Sequence, residues 1–295
     1  TNNAIYVANL GYPIGFGKNN QAVLLPSFLA AYSGQDASSS SLGAFKSFPL
    51  PNWTIKYTGL MNIPFFKEKF RRFSLISGYK ATYTLNSFRS NFNYVPSGFN
   101  AEGDLNTDAG GNIYNSLLIS NVNLIEQFSP LVKFDFELKN SVKIVAAMNK
   151  DRALSMSLAE IKKDRTLNMS FDNNLVTEVS GLEYIVGFGY RIKDVVINSK
   201  LAGNATGIIK SDININCNFS FRDNQNIVRN LDYNNNQLSG GQNIWSLKLT
   251  ADYNFTRNLT AIFYYDQSYS KAVISTSFPV SNILTGFTLR YNFGN

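Results

Sequence analysis

The 295-residue chain is 44% hydrophobic and 14% aromatic but only 16% charged, with a formal net charge of +7 and no histidine. The missing imidazole excludes Ser-His-Asp and Cys-His catalysis and removes the commonest metal ligand, while a single cysteine, Cys217, excludes an internal disulfide. No apolar run approaches the roughly 18 residues of a membrane helix, so any membrane crossing must be made by strands of a barrel, the other structure that satisfies the backbone in lipid.

In chain order, residues 1–50 read as a loop-rich segment with a short barrel-associated insertion, and 51–295 as a series of strands with long outer loops. The chain opens at Thr1 without an initiator Met or an apolar leader, as a mature or truncated chain would. GYPIGFG near Gly11 is a turn rather than a phosphate cradle, because no strand-to-helix context surrounds it. WTIKYTGL sets Trp53, Ile55 and Tyr57 on one face. KEKFRR, Lys67 to Arg72, reads as a solvated turn. FSLISGYKATYTL then aligns Phe73, Leu75, Tyr79, Ala81, Tyr83 and Leu85.

DLNTDAGGN, Asp104 to Asn112, imitates a calcium loop but has Ala109 where glycine belongs and Asn115 where the closing glutamate belongs. VKFDFEL sets Val132, Phe134, Phe136 and Leu138 against Lys133, Asp135 and Glu137. KDRALSMSLAE from Lys150 and KDRTLNMSFDN from Lys163 form a near-repeat, explained by a duplicated strand and turn. LEYIVGFGYRI follows, and then SDININCNFSFRD, where Ile213, Ile215, Cys217, Phe219 and Phe221 alternate with Asn214, Asn216, Asn218 and Ser220. LSGGQN near Gly240 reads as a turn. WSLKLTADYNF, LTAIFYY and the closing FTLRYNF complete the series. With weaker segments at Ile113 to Leu124, Val142 to Met148, Leu154 to Leu158 and Leu167 to Phe171, the pattern predicts about twelve strands and no amphipathic helix.

The connections are unequal. FTRN at Phe255 to Asn258 and KNS at Lys139 to Ser141 are tight, whereas Asn86 to Asn112, Asn224 to Asn243 and Gln267 to Asn282 read as long polar loops. Bacterial outer-membrane barrels combine short periplasmic turns with long outer loops in this way. Polar faces of Asn, Ser, Thr and Gly, with Trp245, Tyr253, Phe255, Phe263, Tyr264 and Tyr265 as interfacial girdles, favour lipid on one side and a wet lumen on the other.

PSFLAAYSGQD from Pro26, PLPNWTIKYTGL from Pro49, FRRFSLISGYKATYTLNSF from Phe70, EQFSPLVKFDFELKNS from Glu126, LVTEVSGLEYIVGFGYRIKD from Leu175 and STSFPVSNILTGFTLRYNF from Ser275 resemble the C-terminal part of the SprA (Sov) family. That family is the giant outer-membrane translocon of type IX secretion, linked to gliding motility in Bacteroidota. The resemblance implies an all-β chain in the outer membrane, the C-terminal arc of a very large antiparallel transmembrane β-barrel. Folded cargo proteins would cross it, with a periplasmic plug protein and a PorV-like outer-membrane barrel as partners and with no enzymatic activity, cofactor, metal or nucleic acid. Lys133, Glu137, Asn214, Asn216, Asn218, Lys248 and Arg290 would then face the lumen, and Ile215, Phe219, Leu247 and Phe287 the lipid. Two other classes fit the same pattern: a small self-contained porin-like or adhesive barrel, and a soluble carbohydrate-binding sandwich with Trp53 or Trp245 as stacking platform.

Overall fold

The computed structural model describes residues 12–33, 51–108, 110–158, 162–163, 169–170, 174–198, 208–231, 233–256, 258–274 and 277–293. Helix α1 (Gln21–Ser33) precedes strand β1 (Trp53–Tyr57), a short helix α2 (Pro64–Lys69), and strands β2 (Phe70–Ser90), β3 (Leu117–Leu138) and β4 (Val142–Ser157). Two-residue strands β5 (Lys162–Lys163) and β6 (Met169–Ser170) pair only with each other. Strands β7 (Leu175–Asn198), β8 (Ile208–Asn230), β9 (Asn235–Asn254), β10 (Leu259–Ala272) and β11 (Val280–Tyr291) follow.

Among the described residues nine strands form one open antiparallel sheet in the order β1-β2-β3-β4-β7-β8-β9-β10-β11, an all-β meander. Among the described residues no strand covers the outer edge of β1 or of β11, and no second sheet packs on either face. The single layer therefore corrects the sandwich reading, which needs two facing sheets.

The count of about twelve is corrected because weak segments fuse. Ile113 to Leu124 and Val132 to Leu138 contribute to the single strand β3, 22 residues long. Pro130 lies at the register shift between Phe128 and Val132, and a bulge is a place where a strand tolerates proline. Val142 to Met148 and Leu154 to Leu158 likewise join in β4. The first KDR copy lies in β4 as far as Ser157, whereas the second supplies Lys163 and the two residues of β6 within the described part. The remainder of that second copy, and of the Leu167 to Phe171 segment, lies outside the described residues.

Asn224 to Asn243 is not a long loop: the chain continues as β8 to Asn230, turns through 231–234 and returns as β9. LSGGQN is thus strand, with Gly241 at φ +148° beside the register shift at Asn226/Ile227. Gln267 to Asn282 shrinks to 273–279, and the Asn86 to Asn112 connection runs from 91 to 116. The tight turns are as expected. Ser141 adopts φ +68° and donates its N–H to Leu138 O at 3.1 Å, and Phe255 N–H donates to Leu259 O at 2.9 Å.

Helix α1 lies within the segment 1–50, where no helical period is apparent. QAVLLPSFLAAYS is apolar on all sides, so it lacks the 3.6-residue contrast by which an amphipathic helix is recognised; such helices belong in buried places. Asn20 caps it, its Oδ1 accepting the Ala22 N–H at 2.8 Å. Leu25, Phe28 and Leu29 pack with Ile119, Val122, Leu124, Leu154, Met156 and Val176 in the one large buried cluster of the described chain. Each such side chain contributes about 1.5–3 kcal/mol when fully buried. Polar bonds secure the same junction: Gln21 Nε2 donates to Leu117 O at 3.0 Å, and Ile119 N–H donates to Gln21 Oε1 at 2.8 Å.

Candidate functional site: two faces and a concave mouth

Because the side-chain period is two, the ladder registers divide the sheet into two faces. We term them A and B. On face A one cross-strand row reads Phe134, Ala146, Val186, Phe219, Leu247, Gln267 and Ile283, and its neighbour reads Phe136, Ile144, Phe188, Cys217, Leu249, Tyr265 and Thr285. Rows above and below add Trp53, Ile55, Tyr57, Met148, Tyr184, Tyr190, Ile215, Phe221, Trp245, Phe263 and Phe287. These apolar side chains are not covered: Val186 is 55% exposed, Phe219 45% and Phe287 61%. Ile213 to Phe221 is nine residues of β8, which at about 3.4 Å each and a tilt of about 35–45° gives a band about 20–25 Å tall.

Face B, through the same rows, carries Lys133, Glu137, Asn214, Asn216, Asn218, Lys248 and Arg290. The register thus sets those seven on one face, and Ile215, Phe219, Leu247 and Phe287 on the other. Small aliphatics such as Ile185, Ile262 and Leu284 are interspersed on face B. Asn214 accepts from Arg191 Nε at 2.9 Å and donates to Asp252 at 2.7 Å; Ser220 and Ser246 hydroxyls meet at 2.8 Å; Lys248 Nζ lies 3.3 Å from Asp266. Asn216 and Asn218 lie over Gly189 and Gly187, where an added Cβ would come within 3.1 and 2.6 Å of their amide oxygens. Those glycines leave room for the amides to lie flat against the sheet.

Tyr264 departs from the expected girdle. It is on face B, its hydroxyl occupying the space that a Cβ on Gly286 would fill. The other girdle residues divide as well: Trp245 stacks on Tyr269 with centroids 5.4 Å apart, whereas Tyr253 is buried and its hydroxyl donates to Val195 O at 3.2 Å. Trp53 lies 6.3 Å from Tyr79, at the β1 edge. Cys217 sits half-buried on face A as a small apolar side chain between Phe188 and Leu249. Asp108 is engaged by its own turn, accepting from the Gly110 and Asn112 N–H groups at 2.8 and 2.9 Å.

Farther along the strands, face A changes character. Beyond Met148 the same side of β4 bears Lys150 and Arg152, and then the buried Leu154 and Met156. Glu126 accepts from Arg152 Nε at 3.1 Å and from the Tyr79 hydroxyl at 2.9 Å; Arg229 Nη2 donates to Glu178 at 2.7 Å. These pairs were not anticipated, although carrying the period-two count past Met148 reaches Arg152 directly.

At the tight-turn end, face B encloses a concavity of about 920 Å3 lined by side chains of β2, β3, β4, β7, β8 and β9. KEKFRR divides there. Lys67 and Lys69 belong to α2, while Arg71 and Arg72 pair across to Glu137 at 3.2 Å and Asp135 at 3.1 Å.

No family model and no curated protein matches this chain.

Proposed function

We propose that this sheet is a wall segment of a transmembrane antiparallel β-barrel in the bacterial outer membrane, face A towards lipid and face B towards a wet lumen. The observation that carries the reading is the exposed apolar band of face A, continuous across the sheet from β1 to β11. Soluble monomers rarely leave contiguous apolar patches above a few hundred Å2 uncovered, whereas a band about 25 Å tall is what a barrel presents to hydrocarbon. The turns at 139–141 and 255–258 then lie in the periplasm, and the 91–116 and 273–279 connections outside, together with the short turn between β8 and β9.

Parity supports an arc over a small closed barrel. With the nine antiparallel strands of the described residues the first and last run in the same direction, so closure of that sheet on itself would require one parallel seam between β1 and β11. Bacterial single-chain barrels have even strand numbers. The mismatch in length points the same way: β1 has 5 residues and β11 has 12. Further strands, odd in number if all are antiparallel, would complete the wall.

The particular channel we propose is the protein-conducting translocon of type IX secretion, exporting folded cargo from periplasm to cell surface and linked to gliding motility. Its partners would be cargo proteins, a periplasmic plug and a PorV-like barrel, and its mechanism non-enzymatic. The support is the segment-by-segment resemblance together with a face B whose mixed charges and amides stay hydrated and adhere poorly to a passing protein. An open edge in lipid leaves N–H and C=O groups unpaired at several kcal/mol each. Residues 1–295 alone should therefore give no heat-modifiable species and no uniform conductance in planar bilayers, and should become stable when the completing strands are supplied. Steady conductance of one reproducible size from the isolated chain would promote the small-barrel alternative.

A further inference from the structure

We infer that the concave tight-turn end of face B is a docking site for an acidic polypeptide segment. Arg71, Arg72, Lys143, Arg191 and Lys193 line it, against the carboxylates of Glu137 and Asp252. Arg71, Arg72 and Arg191 have partners in Glu137, Asp135 and Asn214. Among the described residues, Lys143 and Lys193 have neither an ion-pair nor a hydrogen-bond partner, and both are exposed. Lys143 lies across from Glu137, but that carboxylate is held by Arg71, so the five cations around the concavity outnumber its two carboxylates and a ligand bringing carboxylates offsets the excess.

A second opening on the same face shows that this excess is local. There Arg222 is bound to Asp151 and Asn224, both at 2.7 Å, and Asn149 donates to Glu183 at 2.9 Å, so the charges are met from within the chain.

The spread of the cations selects the ligand. They come from β2, β4 and β7, three ladder spacings of about 4.8 Å from first to last. That is too wide for one phosphate and suited to carboxylates spaced along an extended chain. Beside them on β8, Asn214 and Asn216 add side-chain amides to the lining, groups suited to a peptide. A lipid headgroup is disfavoured because the apolar band that would anchor its tails is on the opposite face. That the segment arrives from the periplasm rests on the channel reading; the binding itself does not.

The test is a fluorescence-anisotropy titration of the full chain together with the strands that complete its sheet, in detergent micelles, with labelled oligoglutamate, and with oligoglutamine, oligolysine, inorganic phosphate and anionic vesicles as comparisons. Oligoglutamate should bind and oligoglutamine should not. Lys143→Glu/Lys193→Glu should weaken oligoglutamate about tenfold or more and acquire oligolysine binding, whereas Lys150→Glu, outside the concavity, should change neither. Undiminished oligoglutamate binding by the double variant, equal binding of oligoglutamine, or preferential capture of phosphate or vesicles would overturn the proposal. Failure of the channel reading would appear in bilayer conductance and leave this titration unmoved.

Discussion

The two ends of β4 share one strand and one face but have opposite surroundings. At the tight-turn end, Ile144, Ala146 and Met148 belong to the uncovered apolar band; at the other, Leu154 is 1% and Met156 0% exposed beneath α1. Lys150 and Arg152 mark the change between them. An apolar residue on a given face of a strand therefore does not identify its environment. What distinguishes the two ends is the covering element, a helix in one case and, in our proposal, lipid in the other. The 16 residues of β4 make the contrast possible, since a tilted crossing needs only about 9–11.

The largest effect that tests this contrast is at the helix-covered end. Leu154→Ala should cost about 2–5 kcal/mol, the transfer loss being increased by the cavity left beneath α1. Denaturant unfolding in lipid vesicles, with the completing strands supplied, measures it, and limited proteolysis should cut 12–33 sooner while the band remains protected. Unchanged protection of α1 would break the comparison, because that end would then not depend on the helix for burial.

The band offers the next test. Phe219→Arg should cost about 2–4 kcal/mol at mid-bilayer, while Asn218→Arg, one residue away on face B, should be close to neutral. Equal costs at the two positions would remove the distinction between lipid and lumen.

The zone between the ends should give a smaller effect. Arg152→Met strands the Glu126 carboxylate beside Tyr79 and should cost about 1–3 kcal/mol, partly recovered when Glu126→Leu is added. A double variant no better than the single one would mean that the pair is merely a solvated contact.

The sequence disclosed these zones unequally. Strict alternation in SDININCNFSFRD identified β8 and its two faces, because unlike environments on the two sides are what period two records. The continuity of β3 stayed hidden because the clear alternation of Val132 to Leu138 and the weaker one ending at Leu124 lie on either side of a register shift. Asn- and Gly-rich Asn224 to Asn243 read as loop on composition, yet continued pairing between β8 and β9 holds it as strand. α1 was hidden for the opposite reason: with no polar side there is no period to detect. The concave mouth drew its cations from positions as distant as Arg71 and Lys193, and only the order of strands brings them together.

The smallest predicted effect concerns the wet side of the band. Lys248 and Asp266 face each other across β9 and β10 at 3.3 Å, with side chains 59% and 36% exposed. If face B is hydrated there, a double-mutant cycle with Lys248→Ala and Asp266→Ala should yield a coupling of about 0.2–1 kcal/mol at low salt. Counter-ions reach an exposed pair, so molar salt, with a Debye length of about 3 Å, should abolish that coupling. Glu126 with Arg152 provides the contrast, because burial limits screening and its coupling should persist in the same salt. A Lys248–Asp266 coupling well above 1 kcal/mol that resisted salt would mean that protein packs against face B at this level, and the open lumen proposed behind the lipid band would be wrong.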